Sequence, residues 1–136
     1  MNSYISHIQV NIDPASRPFY RELFTLLGWK VLHEDADVAG YGGGEKGSVW
    51  FVSVPGKSAT DYDERGVNHV GIGVGRAEDV DAVAGFLREK GVAALFGTPR
   101  HRPEFSGGEG QTYYQVMFET PDKALVEVVY TGPRAR

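Results

Sequence analysis

His7, His69 and Glu127 are the side chains of this sequence best suited, by chemistry and by placement, to act together. His7 lies in Ile5-Ser6-His7-Ile8-Gln9-Val10-Asn11-Ile12, and His69 lies in Val67-Asn68-His69-Val70-Gly71-Ile72-Gly73-Val74. In both stretches β-branched residues fall on alternate positions, the period of a half-buried strand, so each histidine points away from its apolar row. The two histidines are 62 residues apart, and the pattern after each strand also repeats. Glu127 sits in Leu125-Val126-Glu127-Val128-Val129, where a carboxylate without a partner is costly to desolvate. Two imidazoles and one carboxylate placed by a repeat form a ligand set for a divalent cation, with coordination positions left for a substrate. The alternative is structural: Glu127 solvated at a sheet edge, and the histidines bonded to backbone.

The strands and helices that carry these residues are laid out by the duplication. After the first strand, Asp13-Pro14-Ala15-Ser16 offers turn and cap chemistry, and Phe19, Leu23 and Leu26-Leu27 recur at helical spacing up to Gly28. Strands are expected over Trp29 to His33, Val38 to Tyr41 and Ser48 to Val54, so the first half reads β-α-β-β-β. Gly42-Gly43-Gly44 has neither a helix start nor a Lys-Ser/Thr after it, which makes it a hairpin turn and not a phosphate loop. The polar run Pro55 to Gly66 reads as a linker. The second half repeats the pattern: a strand Val67 to Val74, a helix from about Ala77 with Val80, Val83-Ala84 and Leu87 on one face, Gly91 as its stop, and strands Val92 to Phe96, Thr112 to Glu119 and Leu125 to Tyr130. Aligning the last strands sets Trp50 against Glu127. These are 77 residues apart, so the second half carries 15 extra residues, which fall most naturally within the Gly-rich segment Gly97 to Gln111. A segment of that length is expected to be either a functional loop or a disordered tip.

Composition narrows the classes of function. The 136 residues suit one compact domain. Without cysteine there is neither a disulfide nor a thiolate metal site, which suits a reducing compartment. A net charge of −4 and basic residues scattered apart from Arg100 and Arg102 and the tail pair Arg134 and Arg136 argue against nucleic acid as a partner. No apolar run approaches the ~20 residues of a membrane span, and Met1-Asn2-Ser3-Tyr4 leads directly into a strand. The expectation is a soluble, cytoplasmic protein with a small-molecule substrate.

The repeat, the three ligand positions and the stretch Gly47-Ser48-Val49-Trp50 resemble the vicinal-oxygen-chelate superfamily, which includes glyoxalase I, fosfomycin-resistance thiol transferases, bleomycin-resistance proteins and extradiol dioxygenases. The likeness runs over nearly the whole chain. It implies an α+β fold in which paired βαβββ modules, here 4–54 and 67–130 of a single domain 1–136, build a cupped mixed sheet around a divalent metal. Carried over by position, it implies His7, His69 and Glu127 as ligands, Glu127 also as a catalytic group, and Zn, Ni, Mn or Fe as the ion. The fourth ligand place, a glutamate in glyoxalase I, falls on Trp50, which cannot bind a metal. That aromatic is similar to the fosfomycin-resistance enzymes, whereas Tyr113-Tyr114, Pro121-Asp122 and Arg102-Pro103 resemble a branch of glyoxalase-like bacterial proteins.

The resemblance therefore implies a metal-dependent lyase, isomerase or thiol transferase acting on a small oxygen-chelating substrate. The alternative is a drug-binding protein of the bleomycin-resistance type without catalysis, and extradiol dioxygenases, which are longer chains with two such domains, rank below both. Trp50 is expected to floor a substrate pocket or else to be core, since Val52 and Val54 on its side are apolar. Gln9, on the face of His7, and Tyr113, His101 and Arg102 are the other expected substrate contacts. Tyr113 and Tyr114 must point to opposite faces, and His33, without a counterpart in the second half, receives no role. Because a module presents only half a site, a homodimer is expected.

Overall fold

A computed structural model of the protein describes residues 1–56 and 58–135. Lys57 of the expected linker and Arg136 of the basic tail pair lie outside the described residues. The chain divides into two compact units, Met1–Ser58 and Ala59–Arg136, and the division falls inside the polar stretch that separates the repeats.

The first unit holds β1 (His7–Ile12), α1 (Arg17–Leu26), β2 (Lys30–Glu34), β3 (Val38–Gly42) and β4 (Ser48–Ser53). Its sheet runs in the order β1-β4-β3-β2, with β1 parallel to β4 and the other pairs antiparallel. Asp13 opens the helical turn by accepting a 2.8 Å hydrogen bond from the Ala15 N–H, and Gly28, at φ 75°, supplies the left-handed residue that ends α1. The buried face of α1 is Phe19, Tyr20, Leu23 and Phe24, while Leu26, counted from spacing as part of that face, is exposed. Aromatics hold the helix to the sheet: Tyr20 stacks on Phe51 at 4.2 Å and Phe24 on Tyr41 at 5.2 Å.

The second unit holds β5 (Val70–Val74), α2 (Ala77–Glu89), β6 (Arg100–His101), β7 (Gln111–Glu119) and β8 (Leu125–Pro133), in the sheet order β5-β8-β7-β6. Asp79 closes a capping box with Arg76, and Gly91, at φ 68°, stops the helix as its sequence position predicts. Val80, Val83, Ala84 and Leu87 of α2 are buried, as are Val116, Phe118 and Val128 of the sheet. Each unit is thus α+β with the order β-α-β-β-β, and each sheet has one face under a helix and one face free of it.

The strand expected over Val92 to Phe96 does not form. Only an isolated bridge, Ala94 to Phe118, marks it, because Phe96 at φ 56° and Gly97 at φ 69° turn the chain out of extended conformation. The edge strand is instead β6, within the stretch expected to be an irregular insertion, and a 3-10 turn at Pro103–Phe105 comes after it. Among the described residues no helix is long and apolar enough to cross a membrane.

Strand register independently supports the internal equivalence. Gln9 lies opposite Trp50 in the β1–β4 pair, and Gly71 lies opposite Glu127 in the β5–β8 pair. Both Gln9 and Gly71 come two residues after a histidine, so Trp50 and Glu127 occupy the same place in their modules. Leu87, 1% exposed, links α2 to its sheet. The substitution Leu87→Ala is expected to cost about 2–5 kcal/mol in denaturant unfolding. A cost below about 1 kcal/mol, within the range of surface changes, would show that α2 does not bind the sheet through this residue.

Candidate functional site

Strand alternation decides which side chains share the free face of each sheet. In the second unit that face carries Glu127 and, across from it, Met117, with Tyr113 further along β7. His69, one residue before β5, completes the group: its Nε2 is 3.3 Å from Glu127 Oε2. Glu127 is 5% exposed, and the facing Gly71 adds no side chain, a Cβ there standing 3.6 Å from the same Oε2. The Tyr113 hydroxyl donates to Glu127. Burial first, and then this hydrogen bond and the carboxylate charge, push its phenol up to about 12, so it stays a donor.

Asn68 fixes the imidazole of His69. Its Nδ2 donates to the Tyr62 carbonyl at 3.0 Å, so its Oδ1 faces His69 Nδ1, 2.8 Å away, and accepts that nitrogen's proton. With its Nδ1 facing Asn68, the ring turns Nε2 toward the Glu127 carboxylate. Two acceptors at that distance require a positive charge, either a proton on Nε2 or a cation bound by both. Donors each about 2.1 Å from one ion at tetrahedral to octahedral angles stand ~3.0–3.4 Å apart, which the pair fits. The first unit repeats the device, with Ser6 Oγ 3.0 Å from His7 Nδ1. Ser6 and Asn68, each preceding its histidine, are supporting residues that pattern reading passed over.

His7, at the head of β1, is exposed in its own unit. Within either unit, among the described residues, no three His, Asp or Glu side chains are grouped as a metal site; the second unit supplies two of the three expected ligands.

Trp50 lies on the free face of the first unit and is not core. Its ring covers Gly40, where a Cβ would meet it at 2.6 Å, and its indole N–H donates to Ser48 Oγ at 2.9 Å. Gln9 shares that face, exposed, with its amide donating to Asn11 at 3.3 Å. His33 joins them: register sets it opposite Gly40, and its ring is 6.3 Å from that of Trp50. Asp35 Oδ2 lies 2.7 Å from His33 Nε2, and Oδ1 accepts from the Asp37 and Val38 N–H groups at 2.9 and 2.8 Å.

The remaining expected contacts separate. His101 pairs with Tyr114, stacks on it at 4.4 Å and meets Thr112 Oγ1 at 2.7 Å. Tyr114 in turn donates to Asp81 of α2, so His101 stands on the helix side of the sheet, away from Glu127. Alternation along β6 thus turns the ring of His101, expected as a substrate contact, to the covered face. Arg102 is bonded to Glu104 at 2.5 Å and lies over Phe105, which meets Tyr113 edge-on at 5.7 Å, so it braces the free-face tyrosine.

No family model and no curated protein matches the chain. Among solved structures, a Bacillus halodurans protein described as a candidate glyoxalase is 25% identical with a TM-score of 0.76, over 94% of this chain and 96% of that one. A glyoxylase/bleomycin resistance protein/dioxygenase domain from Frankia sp. EAN1pec is 20% identical with a TM-score of 0.69, covering 100% of this chain and 96% of that one. The fold is that of the vicinal-oxygen-chelate superfamily. A third vicinal-oxygen-chelate neighbour is the fosfomycin resistance protein FosX from Listeria monocytogenes, solved with Mn(II) and sulfate, at 17% identity and a TM-score of 0.64, over 94% of this chain and 90% of that one.

The hydrogen bond to His33, and then those from the Asp37 and Val38 amides, lower Asp35 to about 2. The unfolded value is about 3.9, so the stabilisation is complete above roughly pH 5 and is lost as pH falls through about 2. In urea unfolding, Asp35→Asn is expected to be less stable than the parent near pH 6, with the difference closing toward pH 2. A difference that stays constant with pH would show that the carboxylate charge contributes nothing.

Proposed function

We propose that the protein is a divalent-metal-dependent enzyme acting on a small substrate that offers two adjacent oxygens, of the lyase, isomerase or thiol-transferase type. The observation that carries this reading is His69 Nε2 held 3.3 Å from the buried Glu127 carboxylate, at a strand position that the other module repeats. His69, Glu127 and His7, the last from this chain or a second copy, are the ligands of the reading. Imidazole and carboxylate donors suit Zn, Ni, Mn or Fe, and the FosX neighbour was solved with Mn(II). When bound, the ion supplies Lewis-acid stabilisation of charge developing on substrate oxygen.

The chain's own groups do the rest. Tyr113 donates to Glu127 and holds the carboxylate in place. Asn68 keeps the His69 proton on Nδ1 and so leaves Nε2 to bind. On the free face of its own unit, Trp50 presents an apolar plane and Gln9 an exposed amide. Glu127 would hold the ion, and in this reading it would also be the carboxylate that takes or gives a proton.

A second reading, a drug-binding protein of the bleomycin-resistance kind, draws on Trp50 standing where the partner module has Glu127. Metal analysis and calorimetric titration of untagged protein with Zn(II) and Mn(II) separate the two. The enzyme reading expects tight binding that falls by roughly 100-fold or more in Glu127→Ala and in His69→Ala, beyond what loss of a supporting residue costs. Absent binding, or binding indifferent to Glu127, favours the second reading. Light scattering is expected to return twice the 14.9 kDa chain mass, a homodimer in which each copy offers both modules. A fully metal-loaded monomer would show that one chain completes its own site.

A further inference from the structure

His33 reaches the free face of the first unit through a fault in its strand. Lys30 pairs with Gly42 and Val31 with Tyr41, but the next pair is His33 with Gly40, so Leu32 is an extra residue, a β-bulge. In a regular strand Leu32 would face Gly40, and His33 would point with Val31 and Tyr41 to the helix side. The bulge places His33, Gly40, Trp50 and Gln9 in one row across β2, β3, β4 and β1.

The row is built as a platform with a base at one end. Gly40 leaves the space that the indole of Trp50 fills, and the indole N–H is already committed to Ser48, so the exposed part of the ring is its apolar face. The His33 ring stands beside it, tilted 31°. Asp35 is tied by two backbone N–H groups through one oxygen and faces His33 Nε2 with the other, placed to accept a hydrogen bond from it. Its low value, about 2, keeps it ionised. In the neutral ring this geometry puts the proton on Nε2 and leaves Nδ1 as an acceptor without a partner among the described residues. Side-chain exposures of 49% for His33 and 53% for Asp35 leave the pair open to a ligand.

We infer that His33, oriented by Asp35, is a proton acceptor for a flat ligand carrying a weakly acidic hydroxyl, an enol or a phenol, that lies against Trp50. The hydroxyl proton passes to Nδ1, the electron pair stays on the ligand oxygen, and the imidazolium charge is balanced by Asp35. No oxidant or second reactant is needed. The site goes beyond the metal reading and stands without it, since all its groups belong to the first unit.

The test uses metal-free protein in EDTA and 4-nitrophenol as the probe, at a pH just below the probe's own pKa. Tryptophan fluorescence reports its arrival, with Trp50→Phe marking the share due to Trp50, and the nitrophenolate absorbance band reports proton transfer. The wild type is expected to show a saturable phenolate band together with quenching. Asp35→Asn keeps an oxygen for the Asp37 and Val38 amides but offers N–H to Nε2, which moves the ring proton to Nδ1. It and His33→Gln are expected to retain quenching and to lose the band by about tenfold or more. Nitrogen-15 spectra of the His33 ring are expected to show Nδ1 unprotonated in the wild type and protonated in Asp35→Asn, a readout that does not depend on the glutamine variant folding. No saturable band in the wild type, an equal band in His33→Gln, or a proton already on Nδ1 would overturn the assignment. Each of these leaves the Zn(II) and Mn(II) titrations unaffected, so the two readings fail separately.

Discussion

In each unit the first strand lies parallel to the last, β1 on β4 and β5 on β8, with the helix between them in sequence packed on one face. Parallel neighbours need a crossover, and the crossover helix covers one side of the sheet and leaves the other bare. The apolar β-branched residues must then face the helix, and alternation sends every intervening residue of the first strand to the bare side. His7, Gln9 and Asn11 go there in one unit, and His69, Gly71 and Gly73 in the other. The same pairing sets Trp50 and Glu127 across from them. A one-residue slip would carry Glu127 into the helix interface and Val128 out of it, so the core that specifies the register also specifies the site.

The energetic weight of the second unit's free face rests on Glu127. Desolvating a carboxylate is expensive, and an effective penalty of several kcal/mol per buried ion is offset only by good partners. Tyr113 donates one hydrogen bond, which is worth about 1.5–3 kcal/mol to a charged acceptor, and His69 offers the second partner only with a cation between them or a proton on Nε2. Arg102 and Phe105 brace Tyr113 in turn, so the segment expected to be either a functional loop or a disordered tip has a structural task beside the site.

Much of this was legible in the sequence because it derives from period-two alternation and from glycines at fixed places. The two helices, their stops at Gly28 and Gly91, and the match of Trp50 with Glu127 came from such signals. What escaped depends on register that no local pattern shows. The bulge at Leu32 decides the side on which His33 emerges, and the pairing of β6 with β7 decides that His101 lies with Tyr114. Phe96 in a left-handed conformation ended a strand that its apolar neighbours had suggested, since tertiary demands override propensity at such turns. The roles of Ser6 and Asn68 were within reach: both precede the repeated histidines, and both carry a group able to hold Nδ1.

The bulge in β2 has a consequence for the molecule's behaviour in a crowded solution. β2 is the edge of its sheet, every residue in it is exposed, and Val31 and Leu32 offer 54% and 55% of their surface to solvent. A flat, apolar edge of that kind invites another chain to add itself as the next strand. An extra residue interrupts the ladder and increases the local twist, and Lys30 and Glu34 put charge at both ends, so an incoming strand meets a broken template. One inserted residue thus both turns an imidazole toward the bare face and guards the rim against aggregation.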